Sequence, residues 1–215
     1  MATHGETRRP RSARGEGEQL RAALLAAAET LLVEPRSSPP LSLREVARLA
    51  GVSPSAVYLH FASAQELIAA VVQLQSRKLV AAVLGPGFAD PEVGHDDVAD
   101  SAGGEPPAAS VSLADIATRY VDWGLANPGA YQLLFESADR LGNPVGPSEP
   151  GWIVIEAAVG ALRGARGIGR ADATTTALRA WAALHGIVSL RIHKGNELWP
   201  TSAREDAAAV AASIG

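Results

Sequence analysis

Three helix starts crowd into residues 42–63 of a 215-residue chain. Ser42 with Glu45 has the form of a capping box ahead of Leu43, Val46, Ala47 and Ala50. Ser53 is followed by Pro54 at a first helical position, and Ser63 with Glu66 repeats the box before "LIAAVVQL". Gly51 stands between the first two starts, where a left-handed residue closes a helix at no steric cost. A helix of about eight residues, a turn of roughly three or four with glycine, and a second short helix form the helix-turn-helix pattern. In "SLREVARLAGVSPSAVYLHF", Val46, Ala47, Val52 and Val57 are expected to hold the two helices together, leaving Ser53, Pro54, Ser55, Ala56 and Tyr58 outward. By pattern alone an ordinary αα-hairpin is equally open.

The rest of the chain points to an all-α protein. Apolar residues make up 47% but aromatics only 5%, and the excess is alanine and leucine, which favour close-packed helices over strands. Without cysteine there is no disulfide, thiolate metal site or cysteine nucleophile, which suits a reducing cytoplasm. The basic "TRRPRSAR" before "AALLAAA" reads as soluble helix and not as a signal peptide, because Glu16, Glu18 and Glu29 interrupt it. No segment is expected to offer the ~20 uninterrupted apolar residues of a membrane span, so no membrane association is expected. Charge is uneven: residues 1–83 hold ten Lys and Arg against seven Asp and Glu, residues 84–215 nine against sixteen, which suggests different partners for the halves.

Residues 1–17 read as a disordered basic arm. Leu20, Leu24, Ala27 and Leu31 then mark one face of a helix reaching about Val33, stopped by "EPRSSPP". Residues 85–110, rich in Gly, Pro and acid, read as a flexible linker. Helical patterns follow near 112–126, 128–140, 151–165, 171–194 and 201–213, broken by Asn127-Pro128, "GNPVGPSEPG", "RGIGR" and Trp199-Pro200.

Around the helix-turn-helix, Ala50, Gly51, Val52, Ser53, Tyr58, His60, Phe61 and Leu67 make residues 18–75 resemble the TetR family of bacterial transcriptional regulators. "NPGAYQLLF" (127–135), with Trp181, His185 and Gly186, resembles its subset with a tryptophan-histidine-glycine C-terminal domain. The resemblance implies a helix-turn-helix DNA-binding domain over 18–84 and a helical ligand-binding and dimerisation domain over 111–215. Ser42, Arg44, Tyr58 and His60 are then expected to contact phosphate, while Ser53, Pro54, Ser55 and Ala56 lie in the major groove of double-stranded DNA. Two positions depart from the family: Ala64 replaces a frequent lysine, and Leu59 replaces a residue that is often polar or basic. The reading helix therefore lacks a guanidinium fork for guanine. Arg44 and Arg48, with Arg8, Arg9, Arg11 and Arg14 on the arm, are expected to supply the phosphate attraction.

So short a reading helix covers few base pairs, so specificity requires a homodimer on a palindromic operator. Ile155, Val159 and Leu162 form one stripe and Leu178, Leu184, Val188 and Ile192 another; the family implies that these helices build a four-helix bundle with a partner copy, while intrachain core is the alternative. The family also implies a pocket for a largely apolar or aromatic small molecule. The candidates are Tyr120, Trp123, Tyr131, Leu134, Phe135 and Trp152, with Trp181 and His185 of the motif. No cofactor or metal is expected: "HDDVAD" (95–100) reads as an acidic flexible loop. No enzyme motif is supported, since "GARGIG" follows a helix and not a strand. The reading is a repressor released from its operator by a small molecule. An activator whose DNA binding needs ligand, and a helical interaction module that never touches DNA, stay open.

Overall fold

A computed structural model describes residues 16–34, 41–88, 111–137 and 152–214. The basic arm with its four arginines, most of the expected linker, "HDDVAD" and "GNPVGPSEPG" lie outside the described residues. Nine α-helices and no strand occur among those described, in agreement with the all-α expectation. They are α1 (Glu16–Val33), α2 (Leu43–Leu49), α3 (Pro54–Tyr58), α4 (Ala64–Leu84), α5 (Leu113–Ala126), α6 (Pro128–Phe135), α7 (Trp152–Arg166), α8 (Arg170–His193) and α9 (Ala203–Ile214). Only α1 begins clearly earlier than its apolar pattern, because its first turn, Glu16 to Gln19, is polar and invisible to hydrophobic periodicity.

The chain forms two compact units, residues 1–71 and 72–215, and the division falls inside α4 rather than at its end. In the first unit Leu24, Ala28, Val46, Val57, Phe61 and Leu67 are fully buried, and the Arg21 guanidinium lies 5.0 Å from the centre of the Phe61 ring. In the second, α5 is central and packs against α6, α7, α8 and α9. Gly124 permits this closeness: a Cβ there would lie 2.7 Å from Val188 Cγ1 and 2.9 Å from Tyr131 Cδ2.

The subunit-face expectation needs correction, and α4 bears on the membrane one. α4 is long and apolar enough, by length and composition, to cross a membrane. Its apolar face is nevertheless buried in the protein, at Leu67, Val71, Leu79, Val80 and Val83, as in the core helix of a globular domain. The residues assigned to a subunit face are also largely intrachain core. Ile155, Val159, Leu162, Leu184 and Val188 are each no more than 8% exposed, and Leu178 packs on the same cluster. An amphipathic stripe shows that a face is covered without showing what covers it. Ile192 is half-buried.

Candidate nucleic-acid interface and effector site

Local chemistry builds the α2–α3 corner. Gly51 has φ +71, and the α2 carbonyls are closed by Gly51 N–H donating to Arg48 O (3.3 Å) and Val52 N–H donating to Ala47 O (2.9 Å). This is a Schellman closure, open to glycine because it carries no Cβ. Ser53 caps α3 by accepting from the Ala56 N–H at 3.3 Å, with Pro54 at the first helical position. Ser63 caps α4, and Glu66 reaches back to the Ala62 N–H, one residue beyond the expected box. At Ser42 the box does not form. The hydroxyl makes no cap bond and is exposed, while the Glu45 carboxylate lies 3.8 Å from Arg48.

The corner presents one face to solvent. Val46, Ala47 and Val57 are buried and Val52 half-buried, as the pairing of α2 with α3 requires. Ser42, Arg44, Ser53, Pro54, Ser55 and Tyr58 are exposed, whereas Ala56 and His60 are half-buried. Leu59, 81% exposed, is the most exposed large apolar side chain of this unit among the described residues.

In the second unit five of the eight effector candidates form one cluster. Tyr131 packs on Phe135 (ring centroids 4.8 Å apart) and stacks on His185 (5.5 Å), while Trp181 lies 5.8 Å from His185. A hydrogen-bonded chain threads it. Trp181 Nε1–H donates to Tyr120 Oη (3.1 Å), the two tyrosine oxygens are 3.1 Å apart, and Tyr131 Oη lies 2.6 Å from His185 Nδ1. Indole nitrogen only donates, and every hydroxyl proton of the chain finds an acceptor when Tyr120 donates to Tyr131 and Tyr131 donates to an imidazole carrying its proton on Nε2. Burial favours the neutral forms. It pushes Tyr120 up to about 12, pushes Tyr131 up as well, and lowers His185 below its ordinary value despite the nearby Glu136 carboxylate. Glu136 accepts from Ser189 (2.8 Å) and His193 Nε2 (2.9 Å). Burial opposes its ionisation, but those two bonds together with the nearby His193 and His185 rings outweigh it and hold the carboxyl below its ordinary value.

Beside this cluster lies an apolar cavity of about 40 Å³ between α5, α7, α8 and α9. Tyr120 and Trp181 line it, together with Ile155 and Leu184 from the expected subunit stripes; Trp123, Tyr131, Leu134, Phe135, Trp152 and His185 do not. Trp123 is buried, and Trp152 donates its indole N–H to Glu156 (2.9 Å). Most of the wall is aliphatic, including Ile116, Ala117, Ala177, Val210 and Ile214. Aliphatic residues of this kind carry no signal in the sequence that separates them from ordinary core.

Residues 24–71 match the family profile of bacterial regulatory proteins of the tetR family, and residues 113–213 match the tetracyclin repressor-like C-terminal domain. The chain belongs to the TetR family. As a TetR-family protein it is a DNA-binding transcriptional regulator and not an enzyme. Solved structures share the fold over nearly the whole chain. A protein of unknown function from Rhodococcus sp. RHA1 is 28% identical with a TM-score of 0.66, over 95% of this chain and 97% of that one. A transcriptional regulator from Rhodococcus sp. Rha1 is 22% identical with a TM-score of 0.59, over 90% and 95% of the two chains. A TetR-family transcriptional regulator from Streptomyces coelicolor is 18% identical with a TM-score of 0.61, over 92% and 79%. No protein of curated function matches the sequence.

Proposed function

We propose that this TetR-family chain is a cytoplasmic repressor that binds a palindromic operator as a homodimer and is released by a small, largely apolar molecule. Residues 18–84 form its DNA-binding domain, 85–110 a linker, and 111–215 the effector and dimerisation domain. The observation that carries the DNA reading is the corner itself: Ser53, Pro54 and Ser55 stand exposed on a capped helix, with Arg44 and Tyr58 exposed beside them. Serine hydroxyls and apolar carbons read base edges, and Ser42, Arg44, Tyr58 and His60 position the duplex through phosphate.

In the effector domain the cavity is far smaller than the ~300–1,000 Å³ of a small-molecule site, so binding requires its walls to part. α5 is one such wall through Ile116, Ala117 and Tyr120, and its next residue back, Arg119, donates to the Val83 carbonyl (3.2 Å) near the end of α4. Movement of α5 therefore reaches the end of α4, the helix within which the chain divides into its two units. The effector then works as a population shift, favouring a dimer whose heads no longer fit major grooves ~34–36 Å apart. The subunit surface lies on the outer faces of α7 and α8, where Gly160, Ala182, Ala183 and Leu190 are exposed.

The test is fluorescence anisotropy of the full chain on its own upstream intergenic DNA against scrambled duplex, titrated with salt. A preference of several kcal/mol for the native sequence is expected, as specific DNA binders show. Equal, salt-steep binding to both duplexes would remove the operator assignment.

A further inference from the structure

Leu59 is 81% exposed on the same unit in which Val57 and Phe61, two residues to either side, are essentially buried. It closes α3 in helical conformation (φ −72, ψ −20), with its N–H donating to the Ala56 carbonyl at 3.3 Å. Helical geometry therefore sets Leu59 one turn beyond Ser55 and Ala56, on the stripe that the DNA-binding reading turns toward the bases. A leucine in that position contributes little to the fold. It has no donor or acceptor for a base edge or a phosphate, and it gains free energy only by leaving water for an apolar surface. The major groove offers one such surface, the 5-methyl group of thymine, whereas the cytosine and guanine edges there present a bare amino donor and bare acceptors.

We propose that Leu59 is a specificity-determining residue that reads a thymine methyl, so that each half-site requires a T·A pair through an apolar contact. The inference rests on the α2–α3 corner being the DNA interface, and it replaces the missing arginine fork with a contact of a different kind. Tyr58 and His60, adjacent in the chain, are the proposed phosphate contacts that would fix its depth in the groove.

The experiment substitutes deoxyuridine for each thymine in turn in the upstream duplex that the full chain prefers, which removes the methyl and keeps the base pair. Binding is compared for the native protein and Leu59→Ala. A buried methyl is worth a factor of about four. The native protein should lose about four-fold at one thymine per half-site and roughly fifteen-fold when both are replaced. Leu59→Ala should bind the thymine duplex that much more weakly and be indifferent to uracil, with an unchanged melting temperature because the side chain is exposed. Specific binding with no sensitive thymine, or undiminished sensitivity in Leu59→Ala, overturns the assignment of Leu59 and leaves the DNA interface standing. Absence of any preferred duplex overturns both.

Discussion

The phenolic oxygen of Tyr131, on α6, lies 2.6 Å from Nδ1 of His185, on α8, fifty-four residues away in sequence. The bond joins two helices and favours the neutral imidazole in which Nδ1 accepts from the Tyr131 hydroxyl. A second proton on that ring would turn Nδ1 into a donor and take away the acceptor for the Tyr131 hydroxyl proton.

Burial lowers the affinity of His185 for that proton, with Glu136 pulling weakly the other way. The unfolded chain takes up the proton at about 6.5 and the folded chain only at lower pH. Stability is therefore complete above about pH 7 and falls as pH drops below about 6.5. His185→Asn, which keeps an acceptor near Nδ1 but cannot titrate, should flatten the fall in urea midpoint that begins below about pH 6.5. Glu136, Glu205 and Asp206 have lowered values, so their contributions are lost only in a more acidic window. An unaltered slope in His185→Asn would assign the effect elsewhere.

Caps of the same residue type should differ sharply in mutants. Ser53→Ala removes an acceptor for the Ala56 N–H and is expected to cost about 1 kcal/mol. Ser42→Ala removes no cap bond, so its stability should be unchanged in chemical denaturation, while DNA affinity falls if its hydroxyl meets a phosphate. Equal destabilisation by the two changes would contradict the geometry of Ser42.

The absence of a side chain at position 124 can be tested with a single methyl group. Alanine improves helix propensity, yet its Cβ would fall 2.7 Å from Val188 and 2.9 Å from Tyr131, both fully buried. Overpacking of this kind costs about 1–3 kcal/mol, more than the ~1 kcal/mol that propensity returns. Gly124→Ala should melt at lower temperature, and Gly164→Ala, where the added carbon meets nothing within 4 Å, should melt at the same temperature or higher.

Arg119 satisfies a carbonyl in the last turn of α4 that has no helical partner. In Arg119→Leu that turn should fray, with faster hydrogen exchange at the amides of Leu84 and Gly85 and little change at Val71 or Val72. Uniform acceleration along the helix would mean that the guanidinium supports the whole domain and not its end.

These sites differ in how far the sequence disclosed them. Gly51, Ser53 and Ser63 were legible because caps and left-handed turns are local: the residue type and its immediate neighbours decide them. Ser42 and Glu45 have the same pattern, but the carboxylate lies beside Arg48 and the box stays open. Trp181 and His185 were legible as a motif, but their bonding to Tyr120 and Tyr131 spans more than fifty residues and follows from packing alone. Ile155 and Val159 show the limit most clearly, since an apolar stripe looks the same whether a neighbouring helix or a second chain covers it.

The division of the chain within α4 has an evolutionary corollary. In an α-helix each residue added or removed turns everything beyond it by about 100° and shifts it by about 1.5 Å. Exchange of one DNA-reading module for another between relatives is confined to crossovers that preserve residue count along Ala64–Leu84, or that change it by nearly whole turns. Insertions of one or two residues there are expected to be absent among functional descendants, although loops elsewhere tolerate them readily.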